Sequence, residues 1–127
     1  MTKEIDPVMK QTVLEDYGKY LGVIKEMETG GVDLEQGIEV LENLLQDIID
    51  DMFIMDQEAH DAFLAQKADL GRKNKEKKEN LLALIREPED EIDSRNQKRL
   101  LLKYDFDKHR RLLAAIKGFS NHRGWFR

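Results

Sequence analysis

An all-α fold is the first expectation from this sequence, and three observations carry it. Apolar residues recur in steps of three and four over long stretches. The commonest residues are good helix formers, while β-branched runs and hairpin dipeptides are scarce. Only Pro7 and Pro88 interrupt the chain as prolines. At 127 residues the length fits a single helical domain, 1–127. A composition of 40% hydrophobic, 37% charged and 7% aromatic residues suits an elongated helical structure better than a compact globule.

The first helix is expected over 7–28. Asp6 can accept from the free amides of its first turn, and Pro7 occupies a position whose amide needs no partner. Val13, Tyr17, Tyr20, Ile24 and Met27 form one face, with Leu14 and Leu21 beside it. Gly30-Gly31 supplies the left-handed conformation that ends a helix. Asp33, with Gln36 three residues on, then opens a second helix in a capping-box pattern. Its apolar series Leu34, Ile38, Leu41, Leu45, Ile48, Met52, Met55, Ala59, Ala62 alternates steps of four and three. The series thins between Gln66 and Asn80 and resumes at Leu81. This predicts one long helix over 34–86, about 80 Å if unbroken, with a bend expected near Gly71. Glu87-Pro88 breaks it. A third helix starts at 89 or at 95, the latter because Ser94 and Gln97 read as a second capping box. It runs to 117 along Leu102, Phe106, His109, Leu113 and Ile116, with Gly118 as C-cap and 118–127 as tail.

Charge is distributed in blocks. Between Lys25 and Lys67 the chain has twelve acids and no lysine or arginine. A basic run follows (Lys67, Arg72, Lys73, Lys75, Lys77, Lys78), then acids from Glu87 to Asp93, then a basic C-terminal part. An antiparallel hairpin turning near 86–88 sets 67–78 opposite 87–93, and the acids at 47–61 opposite Lys108, Arg110, Arg111 and Lys117. The fold expected is a three-helix bundle continued by a long antiparallel, coiled-coil-like arm.

Composition narrows function mainly by exclusion. A net charge of −5 disfavours a general nucleic-acid binder. With no cysteine there is no disulfide framework and no thiolate metal site, which fits the cytoplasm. No apolar stretch approaches the ~20 residues of a membrane span, and the start of the chain lacks the apolar core of a secretory signal. A soluble protein without membrane contact or cofactor is expected.

Motifs for chemistry are few. Asp56 with His60, and Asp105 with His109, are spaced at i,i+4, and the hairpin brings both pairs to similar heights, the only arrangement resembling a metal site. Against it, His109 lies on an apolar stripe, Asp56 belongs to an acidic face, and Gln57 stands where a Glu-x-x-His motif needs glutamate. Ser94 and Ser120 are the only serines, and no phosphate-binding glycine loop occurs, so no enzyme is expected. The basic run has no interleaved aromatics and includes Asp69, Glu76 and Glu79, so a solvated arm is preferred to a nucleic-acid surface. The acids are better read as the polar face of an amphipathic helix than as phosphate mimics. Phe119, Arg123, Trp125, Phe126 and Arg127 make a candidate partner contact, because tryptophan and arginine are favoured at interfaces. A tail folded back over the bundle end fits them equally well.

Leu44-Leu45, Lys67 and Leu70 match a spacing of paired leucines, a lysine about twenty residues on and a leucine three later. The stretch from Leu44 through 63–70 to Leu81–Ile85 resembles the long-helix segment of flagellar or type III export chaperones over about a third of the chain. The resemblance implies binding of an export substrate without catalysis. Together these readings point to a non-enzymatic interaction protein, adaptor-like, chaperone-like or self-assembling, that binds a protein partner or its own copy through the hairpin and tail. A nucleic-acid-related protein is the alternative, and a metal-binding helical bundle the second.

Overall fold

The structure is a computed structural model and describes residues 6–125. It is all-helical, with four helices and no strand among the described residues: α1 (Pro7–Glu28), α2 (Leu34–Met55), α3 (Gln57–Leu84) and α4 (Glu91–Arg123). α1 begins where its caps predict, the Asp6 carboxylate accepting from the Val8 amide at 2.8 Å. It ends before Gly30, whose φ of 80° is the left-handed conformation that glycine adopts without strain. Asp33 occupies the N-cap of α2 but makes no side-chain capping hydrogen bond.

The expected single helix over 34–86 is two helices, divided at Asp56 and not near Gly71, which lies inside α3. Asp56 has φ −153° and ψ 85°, so one extended residue interrupts the helical path. Its amide still donates to Met52 O, finishing α2, while its carboxylate accepts from the Ala59 amide and opens α3. The apolar stripe passes through the break, with Met52, Met55, Ala59 and Phe63 all in the core. Periodicity alone therefore could not reveal it.

α4 also differs from expectation at both ends. Asp90, not Ser94, is the N-cap, its carboxylate accepting from the Asp93 amide at 2.8 Å. The helix runs past Gly118 to Arg123, and Gly124 with φ 72° is the C-cap. Most of the expected tail is thus helix.

α1 packs mainly on α2, α2 lies against both α3 and α4, and α3 pairs with α4. The α3–α4 pair is antiparallel: Asp56 meets Arg123, Phe63 stacks edge-on with Phe119, Lys78 meets Asp105, and Gln97 reaches Arg86 O. This register alters the expected charge match. Lys78 pairs with Asp105 and Arg123 with Asp56 and Glu58, whereas Arg110 turns to Glu28 and Arg111 to Asp107. Glu91, from the acidic 87–93 run, pairs with Arg95 of its own helix. Most of these contacts are exposed and contribute little individually.

The core joins Val13, Tyr20 and Ile24 of α1 to Leu41, Ile48 and Met52 of α2, Phe63 of α3, and Leu112 and Ile116 of α4. Beyond Phe63 the one buried residue of α3 is Asn74, whose amide donates to Asp105 at 2.8 Å. The outer half of the hairpin is therefore registered by a polar contact, with Leu70, Leu102 and Phe106 packing partly around it.

Two glycines should respond oppositely to alanine. A Cβ at Gly71 meets nothing within 4 Å, so Gly71→Ala should raise stability by about 0.5–1 kcal/mol through helix propensity. A Cβ at Gly37 would lie 2.5 Å from Met27 Sδ in the α1–α2 contact, so Gly37→Ala should lower stability. Paired urea unfolding curves check both signs.

Candidate functional site

The carboxylate of Asp56 is the polar centre of one end of the molecule. Arg123 binds it with two parallel contacts, Nε to Oδ2 at 2.7 Å and Nη2 to Oδ1 at 2.6 Å. The indole N–H of Trp125 donates to Oδ2 at 3.1 Å, and Ala59 N donates to Oδ1 at 3.3 Å. Burial alone would raise the pKa of Asp56. The hydrogen bonds from Arg123, Trp125 and Ala59 outweigh it and hold the group below the usual carboxylate value.

Of the two arrangements expected for the C-terminal residues, the described ones follow the folded-back arrangement. Trp125 is fully buried, while Arg123 pairs with Asp56 and Glu58 and remains exposed. Phe119 packs against Phe63 and remains half-buried. Phe126 and Arg127 lie outside the described residues.

The four metal candidates do not converge. Asp56 holds Arg123 and Trp125, while His60 Nδ1 pairs with Asp61 at 3.0 Å under the edge of Phe53. Asp105 holds Asn74 and Lys78, and His109 faces Tyr20. Among the described residues no group of three or more histidine, cysteine or acidic side chains is placed to hold a metal ion. His109 is the packed histidine that its apolar stripe suggested. The Tyr20 hydroxyl lies 2.7 Å from Nδ1 and 3.1 Å from the His109 backbone oxygen. Burial, with help from Lys108, pushes the imidazole pKa down to about 4.

The basic run is partly neutralised. Arg72 and Lys73 pair with Asp69, Lys78 pairs with Asp105, Lys67 is half-buried, and Lys75 and Lys77 are exposed. On the acidic side, Asp51 is held above its ordinary pKa by burial, by a hydrogen bond with Asp16, and by the charges of Asp16, Asp47 and Asp50.

An open groove with a volume of about 550 Å³ lies between α3 and α4. Leu70, Ala114, Ala115, Gly118 and Phe119 line it, and Gln66, Arg111 and His122 complete its wall. Leu70 and Arg111 continue into a shallow cleft beside Lys73, Lys77 and Tyr104. Small side chains on α4 create the concavity, and bases border it. Sequence reasoning missed this site, although Ala114, Ala115 and Gly118 give one helical face too little bulk to fill the space beside α3.

No family model, curated protein or solved structure matches this chain. Among the described residues, no helix is long and apolar enough to cross a membrane.

Trp125 is the only tryptophan, so its emission reports docking of the C-terminal end. Asp56→Ala should cost about 2–3 kcal/mol, since it strands Arg123 and the indole N–H, and should red-shift tryptophan emission before global unfolding.

His109 makes stability depend on pH in a defined direction. Its folded pKa is about 4 against 6.5 for the free side chain, so the unfolded state takes up the proton first as pH falls. The contribution is fully present above about 6.5, is lost down to about 4, and amounts to roughly 3 kcal/mol. Asp56, with its depressed pKa, adds a loss only at lower pH. Urea titrations at about pH 7.5 and 4.5 should show this fall in the native protein and much less of it in His109→Gln.

Proposed function

We propose that this protein is a non-enzymatic interaction protein that receives an acidic amphipathic helix of a protein partner in the groove between α3 and α4. The supporting observation is the groove itself: concave, floored by Leu70, Ala114, Ala115 and Phe119, and bordered by Arg111, His122, Lys73 and Lys77. A helix laid there would bury an apolar face, and its flanking acids would meet basic side chains. On this reading the helices form a bundle from which the outer part of the α3–α4 hairpin extends as an arm. The C-terminal end of α4 contributes Phe119 and His122 to the surface, while Arg123 and Trp125 anchor that end. An adaptor or chaperone-like role, including the export-substrate binding implied by the resemblance around Leu44-Leu45, Lys67 and Leu70, belongs to this proposal.

Other exposed apolar side chains, such as Phe53 and Ile54 on α2 and Leu84 and Ile92 at the hairpin turn, stand apart from the groove. Scattered exposure of this kind is ordinary on protein surfaces.

Affinity capture from source-cell lysate, with and without nuclease, tests the proposal by comparing the native protein with Ala114→Glu/Gly118→Glu. Ala114 and Gly118 are both exposed, and a Cβ at Gly118 meets nothing, so the double variant keeps the fold while filling the groove with negative charge. A protein captured in nuclease-treated lysate should be lost with the double variant, and its retention should weaken as salt rises. Equal capture by both forms contradicts the groove. Capture abolished by nuclease favours nucleic acid as the target.

A further inference from the structure

Between α2, α3 and α4, apart from the groove, lies a partly enclosed cavity of about 220 Å³. Leu45, Ile49 and Leu112 give it apolar walls. Its polar lining comes from Lys67 of α3, Lys108 and His109 of α4, and Glu42 and Gln46 of α2. His109 is almost wholly buried, and its Nε2 has no hydrogen-bond partner. Glu42 Oε1 is 4.0 Å away, beyond hydrogen-bonding distance. Buried polar atoms left unpaired are rare in native proteins and call for an explanation.

The position of the proton on the ring turns on the direction of the Tyr20 contact. The Tyr20 hydroxyl has one proton and two acceptors in reach, Nδ1 at 2.7 Å and the His109 backbone oxygen at 3.1 Å, and the tautomer inferred here has it donated across the shorter contact, to Nδ1. The neutral imidazole then has its proton on Nε2, the unpartnered nitrogen at the cavity. Lys67 and Lys108 are half-buried, and neither has an ion-pair or hydrogen-bond partner among the described residues. Both positive charges act on the imidazole, adding to the burial that keeps it neutral. The Gln46 amide is turned to Asp50 at 2.9 Å.

We propose that this cavity binds a small oxyanion, a phosphate or a carboxylate, through the ammonium groups of Lys67 and Lys108 and the Nε2–H of His109. Two lysines and the histidine, from two helices, line this partly enclosed space, and charge-assisted contacts to an anion are the strong ones. Glu42 is the opposing group. Largely exposed at the mouth, its carboxylate resembles the ligand and competes for the same donors. Binding would join α3 to α4 beside α2, and it does not depend on occupation of the groove.

The full chain, labelled with ¹⁵N on histidine, would be titrated at constant ionic strength with inorganic phosphate and, separately, with acetate. The native protein should show the Nε2–H tautomer at His109 and a saturable one-site shift of that signal at millimolar concentration. A stronger response to phosphate than to acetate, or the reverse, identifies which oxyanion class the site takes. Lys67→Met and Lys108→Met should each weaken binding roughly tenfold, the corresponding arginine variants should retain it, and Glu42→Gln should strengthen it. Tryptophan emission confirms that each variant is folded. An Nδ1–H tautomer, a response that never saturates, or equal binding by the Lys67→Met/Lys108→Met double variant would overturn the proposal.

Discussion

The fold depends most on a single carboxylate. Asp56 ends α2, starts α3, and draws Arg123 and Trp125 of the last helix and its cap onto that junction. A buried carboxylate is costly unless every lone pair is used. Here four N–H groups from Ala59, Arg123 and Trp125 converge on it, which keeps it ionised despite burial. Because Arg123 and Trp125 lie far from Asp56 in sequence, the contact closes the end of α4 onto the middle of the chain.

The break at Asp56 has consequences for surface chemistry. Once α3 is separated from α2, it can pair antiparallel with α4 while α2 lies against both. Pinning the C-terminal end of α4 to Asp56 fixes the height at which Phe119 meets Phe63. It thereby sets where Ala114, Ala115 and Gly118 leave space beside Leu70. Further out, Asn74, Asp105 and Lys78 hold the register where α3 has little apolar surface to bury. A polar contact at such a position favours one alignment over its neighbours more than it adds stability.

Much of the helical content was legible because it rests on local rules. Asp6-Pro7 and Gly30 mark the ends of α1 through backbone chemistry, and the stripe from Leu41 to Met52 is buried as its spacing requires. The misread boundaries share one cause, competition between local signals that only tertiary contacts decide. Ser94 and Gln97 resemble a capping box, yet Asp90 lies closer to the Pro88 break and captures the Asp93 amide first. Gly118 resembles a C-cap, but docking of Trp125 carries the helix on to Gly124. The interruption at Asp56 was hidden because Met55, Ala59 and Phe63 continue the stripe across it. Its one local signal was a capping residue within an apolar series. The groove left no positive signal, since it consists of bulk that is missing.

The most direct measurement of the central claim is the solvent exchange rate of the Trp125 indole N–H in the native protein, followed by NMR. If the Asp56 contact organises this end of the molecule, that proton should exchange only through openings nearly as costly as global unfolding, alongside the slowest core amides of α2. Exchange at the rate of a free indole would show that the C-terminal end is not held by Asp56 and would contradict the account.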